Sequence, residues 1–197
     1  MSGALDGLRV VELASRQAAW AGKLLADLGA DVIVVEPPGG HASRAFGPFL
    51  DDEPGPERSL FWWNYNTSKR SVVLDLDDTD DATRFRGLAA DADIVLEGEE
   101  PGRLATLGLD YADLCADDPD LVWVSVTPFG RDTSRAHDPA TDLTLLAGGG
   151  PVWNCGYDDH MIPPVRGGGN QAFHIASVFA AMSALTAILQ QIGRAHV

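Results

Sequence analysis

Five short, β-branched apolar runs recur along the chain, at Leu8–Leu13, Asp31–Glu36, Ser71–Leu76, Asp93–Glu97 and Leu121–Thr127. Each is continuously apolar and not alternating, which is the pattern of strands covered on both faces in a parallel sheet. Between the first two, Gln17–Gly29 sets Trp20, Leu24, Leu25 and Leu28 on one helical face, with Gly29 as the stop. Thr79–Ala90, acidic at its start, predicts a second helix, and Pro101–Ala116 a third. Parallel strands need crossover connections, so this alternation predicts an α/β fold: a doubly wound, mostly parallel Rossmann-like sheet with flanking helices.

The connection from Pro37 to Leu60 is long and rich in Gly, Pro and charge, which predicts a functional or mobile loop. After the fifth run the pattern dissolves into Gly148–Gly150, Pro163–Pro164 and Gly167–Gly169. Ala172–Leu189 is then apolar throughout, with His174 its one strongly polar member. Its many Ala, Ser and Thr side chains add little transfer free energy, so it reads as a helix buried in protein and not as a membrane span.

Composition narrows the partners. Of 197 residues, 29 are acidic and 14 basic, for a net charge of −15. Nucleic acid and anionic membrane would both be repelled, so neither is expected. Cys115 and Cys155 form no CxxC pair, which argues against a zinc site or a disulfide scaffold. Residues 1–7 lack the positive start of a signal peptide, and a cytoplasmic location is the expectation. The turn after the first strand, Ala14 to Trp20, carries neither GxGxxG nor GxxxxGK[ST]. Without those glycines a pyrophosphate has no tight seat on the helix N-terminus, so no dinucleotide or P-loop site is expected.

Several segments taken together resemble CoA-transferase family III, the type that includes formyl-CoA and carnitine or bile-acid CoA-transferases. They are the opening LDGLRVVELASRQAAWAGKLLADLGADVIVVEPPGG, NYNTSKRSVVLDL (64–76), ADADIVLEGEEPGRLATLGLDYADL, DPDLVWVSVTPFG and ATDLTLLAGGG. The resemblance implies an N-terminal Rossmann-like part spanning 1–191, cut before the family's small domain, and an interlocked homodimer when full length. The last six residues, 192–197, break the helical pattern and read as a non-native tail, with a natural helix end as the alternative.

That resemblance implies transfer of CoA between an acyl-CoA and a small carboxylic acid, with no permanently bound cofactor: the CoA thioester is a substrate. An aspartate attacks the acyl carbonyl and then carries CoA as a thioester. Gln17 falls on the family's active-site glutamine, the alternative being a solvated amide at a helix start. Asp142 falls on an acidic position lining the same pocket, the alternative being a cap or turn. The nucleophile is missing: from Met161 to Val197 there is no Asp or Glu, and Asn170, Gln171 or Phe173 stands in its place. Asp158 and Asp159 precede the double proline and read as a solvated loop.

The CoA-contacting positions that the resemblance implies also depart: Pro37, Asp77 and Thr106 stand where the family has basic residues, and Gly98–Glu99 where it has an Asn-Phe pair. Lys69 and Arg70 remain as the basic pair assigned to CoA, with loop packing as the alternative. A racemase of the related α-methylacyl-CoA type needs a His before the acid that Asp142 matches; here Thr141 is there, and His137 is five residues back. The leading expectation is therefore a CoA-transferase copy lacking its nucleophile, inactive by itself. A non-catalytic scaffold half of a tandem enzyme is the alternative, and an unrelated small α/β binding protein the third reading.

Overall fold

All five expected strands form and lie in one sheet of order β3-β2-β1-β4-β5. The computed structural model describes residues 3–116, 120–159 and 161–194. The strands are β1 (Arg9–Leu13), β2 (Asp31–Glu36), β3 (Arg70–Val73), β4 (Ile94–Glu97) and β5 (Val122–Ser125), and every pairing is parallel. The helices are α1 (Ala19–Asp27), α2 (Leu60–Asn66), α3 (Thr79–Ala90), α4 (Arg103–Thr106), α5 (Tyr111–Leu114), α6 (Asp142–Gly148) and α7 (Gln171–Arg194). The sheet is thus wholly parallel, stricter than the mostly parallel sheet expected.

Alternate side chains of each strand enter two cores. Val10, Val32, Ile94, Leu96 and Val122 pack against Leu25 of α1 and against Ala180, Ala181 and Ala184 of α7. Val11, Leu13, Val35 and Val95 meet Phe85 and Ala89 of α3 together with Leu104 and Leu114. The chain runs outward from β1 to β3, then returns to β4 on the other side of β1. The connections that follow β1 and β4 therefore lead to opposite sides of the strand order, the switch point at whose carboxyl end α/β sheets place a crevice.

Three segments differ from the sequence expectation. Pro101–Ala116 is two single-turn helices and not one, because Gly108 has φ +63° and ends the first turn. The connection 37–60 is ordered by single 3-10 turns at Ala42–Ala45 and Leu50–Asp52 and leads into α2, which the aromatic-rich LFWWNYN hid. Helix α6 follows β5 where glycines suggested only loop; Thr141 and Thr144 cap it reciprocally. The backbone of α7 also continues through Arg194, so there is no helical break at Ile192; residues 195–197 of the expected tail lie outside the described residues.

The side chains of Glu12, next to the carboxyl end of β1, and of Lys69 are both fully buried. Lys69 Nζ lies 2.8 Å from Glu12 Oε2 and donates to Oε1 at 3.0 Å, to the Ala19 carbonyl at 2.9 Å and to Asn66 Oδ1 at 3.2 Å. Burial drives the Glu12 pKa up and that of Lys69 down, while each charge opposes the shift of the other. Gly22 makes room for the pair: a Cβ there would sit 1.6 Å from Glu12 Oε2.

Two outcomes are expected. Lys69→Met leaves a buried carboxylate unpaired and should cost about 3–5 kcal/mol in urea unfolding, while Arg70→Met, which breaks an exposed pair with Asp31, should cost under about 1 kcal/mol. Helix α7 has the length and composition of a membrane-crossing helix; one side packs on α1 and β5, and Ile175, Val178, Phe179, Met182 and Leu189 remain exposed. The isolated chain should therefore self-associate in analytical ultracentrifugation, and Phe179→Glu with Met182→Glu should shift it toward monomer. A compact wild-type monomer would contradict this.

Candidate functional site

The turn between β1 and α1 reaches the crevice first. Ser15 Oγ accepts from the Ala18 amide at 3.1 Å and shapes the turn, which sends Arg16 and Gln17 to different neighbours. The neighbouring turn after β4 comes so close that a Cβ on Gly98 would lie 2.6 Å from Ser15 Oγ and 3.1 Å from Gln17 Cβ. Gly98 is thus required by close approach.

Gln17 is half-buried and lines a cavity of about 300 Å³ between the end of β5, α6 and the first turns of α7. Its other walls include Val126, Leu146, Phe173 and Ala176. The Gln17 carbonyl accepts from the buried Ser177 Oγ at 2.9 Å, which pins the turn to α7. The turn that carries Gln17 is thereby fixed beside a mostly apolar chamber.

Asp142 is buried in the first turn of α6 and does not line that cavity. Its Oδ1 accepts from the Ala172 amide at 2.8 Å and its Oδ2 from Arg166 Nη1 at 3.1 Å. Both oxygens therefore bind the segment that leads into α7. The structure gives Asp142 a positioning geometry, and a carboxylate fits it because two donors converge there.

Lys69 and Arg70 do not reach the crevice. The Lys69 ammonium is enclosed by Glu12, Ala19 and Asn66, and Arg70 pairs with Asp31 at the amino end of β2. The assignment of this pair to CoA is corrected: one cation has no free donor left and the other lies at the wrong end of the sheet.

The residue that sequence reasoning missed is Arg103. It lines a second cavity, of about 260 Å³, at the carboxyl ends of β1, β2 and β4, with His41, Asp75, Asp77 and Glu99. Thr106 does not; its hydroxyl donates to the Arg103 carbonyl at 2.7 Å. Arg103 supplies a cation one helical turn earlier, a shift invisible without the αL residue Gly102 that starts α4. The guanidinium is engaged by Asp77 through bonds of 3.1 and 2.6 Å. Those bonds lower the Asp77 pKa and raise that of Arg103. Burial and the neighbouring Glu97 push the Glu99 carboxyl up.

Glu36 closes the same cavity. It is buried and accepts from Arg44 Nε and Nη2 at 2.6 and 2.8 Å, from Ser71 Oγ at 2.5 Å and from the His41 amide at 3.1 Å. Burial opposes its ionisation, but these bonds together outweigh burial and lower its pKa. Burial also lowers the His41 pKa, more than Glu36 raises it.

Across the crevice, Asn170 precedes α7 and is buried. Its Oδ1 accepts from Arg16 Nη2 at 3.0 Å, and its Nδ2 donates to the Tyr65 hydroxyl at 3.1 Å. That hydroxyl lies 2.6 Å from His174 Nε2, and Trp20 packs against both rings. Burial lowers the His174 pKa against the opposing charge of Asp142. No group of three or more His, Cys, Asp or Glu side chains arranged to hold a metal occurs among the described residues.

The family model for CoA-transferase family III matches residues 5–195. The chain belongs to CoA-transferase family III. It is 40% identical to the succinyl-CoA:(R)-benzylsuccinate CoA-transferase subunit BbsE of Thauera aromatica, over 91% of this chain and 43% of that one. It is 39% identical to the probable CoA-transferase Rv1866 of Mycobacterium tuberculosis, over 85% of this chain and 20% of that one. The fold matches a CAIB/BAIF family protein from Brucella suis with a TM-score of 0.90 at 32% identity, covering 99% of this chain and 51% of that one. The chain thus spans about half the length of most of these relatives and structures. Because 169 matched residues make 20% of Rv1866 and 180 make 43% of BbsE, Rv1866 is about twice as long as BbsE.

Two measurements check this site. CoA should bind no tighter than about millimolar by calorimetry, because acids line the cavity, and Asp77→Lys with Glu99→Phe should tighten it by relieving repulsion and freeing Arg103. A micromolar constant for the unaltered chain would contradict this. The stabilisation from the lowered Glu36 pKa is present above the ordinary value of 4.5 and is lost as pH falls through the folded value. Urea midpoints measured from pH 7 to pH 3 should fall less steeply for Glu36→Gln than for the unaltered chain.

Proposed function

We propose that this chain is the nucleophile-free half of a CoA-transferase that moves CoA between an acyl-CoA and a small carboxylic acid. The observation that carries this reading is chemical. At the start of α7, where the family resemblance puts the attacking aspartate, the side chains are Asn170, Gln171 and Phe173. An amide cannot form the acyl anhydride, and a phenyl ring offers no lone pair. Asp142, the nearest buried carboxylate in that region, has both oxygens occupied by donors that hold α7.

A separate chain or a second copy then supplies the carboxylate, and this chain contributes the crevice, the Gln17 amide and an interface through α7. Two relatives favour that division of labour. BbsE is named as a subunit, and Rv1866 is about twice as long as BbsE. The name of BbsE includes succinyl-CoA and benzylsuccinate, which makes short dicarboxylic acids the leading class of acceptor here. The reading further includes a cytoplasmic setting and a homodimer or paired dimer in the complete protein, with neither nucleic acid nor membrane as partner.

The test is intact-mass spectrometry of the chain incubated with succinyl-CoA. No covalent CoA adduct is expected. An adduct would show that another of its carboxylates serves as nucleophile and would overturn the proposal. A purely structural half is the second reading; Gln17→Ala in the reconstituted enzyme distinguishes it, since a donor lost from the reacting chamber should cost about 100-fold in kcat and a scaffold residue nothing.

A further inference from the structure

We infer that Arg16 is the carboxylate-recognition residue of this crevice, holding the carboxylate of the small acid beside the Gln17 chamber. The inference deepens the CoA-transfer reading and rests on it for the identity of the acid. It starts from charge accounting. In an acidic chain, the cations around the carboxyl end of the sheet are consumed internally: Lys69 by Glu12, Arg44 by Glu36, Arg103 by Asp77, Arg131 by Asp110 and Arg166 by Asp142. Among the described residues at that end, Arg16 is the arginine whose side chain faces no carboxylate within 4 Å. Its hydrogen-bonding partner there is a neutral amide oxygen, Asn170 Oδ1 at 3.0 Å.

The guanidinium is nonetheless held in place. It lies over the Phe46 ring at 5.2 Å and the Phe173 ring at 5.8 Å, so two aromatic faces from different elements flank it. Asn170 is itself fixed by Tyr65, and both are buried. A bare surface arginine would pay rotamer entropy to grip a ligand; this one is pre-ordered while its side chain as a whole stays exposed. One donor of the planar fork is spent on Asn170, and the remaining N–H groups suit a two-point bond to a carboxylate. Phe173, flanking Arg16, is also a wall of the cavity that Gln17 lines, so one ring adjoins both the guanidinium and that cavity.

An aspartate in place of Asn170 would put an internal carboxylate on Arg16 and close the site. With an amide there, Arg16 keeps N–H groups for a carboxylate that arrives with the substrate.

Ligand-observed NMR titration of the 197-residue chain tests this, with succinate, succinyl-CoA and acetyl-CoA as probes. Succinate should bind the unaltered chain, and Arg16→Gln should weaken it at least tenfold. Arg16→Lys should fall between, and Asn170→Asp should weaken it as Arg16→Gln does. Arg70→Gln, a paired cation at the far end of the sheet, is the control and should change nothing. If Arg16→Gln spares free succinate but lowers succinyl-CoA to the level of acetyl-CoA, the recognised carboxylate is the one on the thioester. An Arg16-dependent succinate signal without a response from the CoA probes supports the carboxylate site, since this chain is expected to bind CoA no tighter than about millimolar; the CoA reading itself stands or falls on the adduct test. No succinate or succinyl-CoA dependence on Arg16, in chains whose circular dichroism is unchanged, or equal loss in Arg70→Gln, would overturn the inference.

Discussion

The turn that opens the crevice at the carboxyl end of this sheet rests on the buried pair of Glu12 and Lys69. Its three other anchor points are the start of α1, the end of α2 and the missing side chain of Gly22. The ammonium bonded to the Ala19 carbonyl fixes where α1 begins, and so fixes the turn that carries Arg16 and Gln17. Two buried charges are expensive to desolvate, and apolar replacements of similar volume are often as stable. What the ion pair supplies is geometry: one point at which β1, α1 and α2 must meet.

The same economy extends along the rim. Glu12, Glu36 and Glu97 are buried on three adjacent parallel strands, and each meets a different cation: Lys69, Arg44 and, at 3.8 Å, Arg131. Packing the sheet edge with acids and neutralising each one internally leaves few positive groups for a polyanion. A CoA 3′-phosphate or pyrophosphate approaching the second cavity would meet Asp75, Asp77 and Glu99 before it could use Arg103. A small acid next to Arg16 meets the opposite balance. On the proposed reading the crevice favours the smaller substrate, and CoA gains its affinity elsewhere in the complete protein.

The architecture was legible because parallel strands buried on both faces write continuous apolar runs, and five such runs leave few topologies. The turn that carries Gln17 was legible too, since it follows directly from the end of β1. What the sequence hid were properties of pairing. Lys69 and Arg70 are adjacent in the chain, yet one is enclosed by a strand residue 57 positions away and the other faces Asp31. Nothing local signals which lysine will be buried. Arg103 was missed because a left-handed glycine restarts the helix and moves the cation by one turn. The short helices α2 and α6 were hidden because aromatic packing and a threonine cap stabilise them, and neither leaves an amphipathic period to read.

The proposed division of labour turns on which chain or copy carries the covalent CoA intermediate. The decisive measurement is to trap the intermediate in the assembled enzyme with acyl-CoA, digest it and locate the modified residue by peptide mass spectrometry. The CoA should be found on an aspartate of the second chain or copy, with every peptide of this chain unmodified. CoA attached to Asp142, Asp158 or Asp159 would contradict the account, because this half would then carry its own nucleophile.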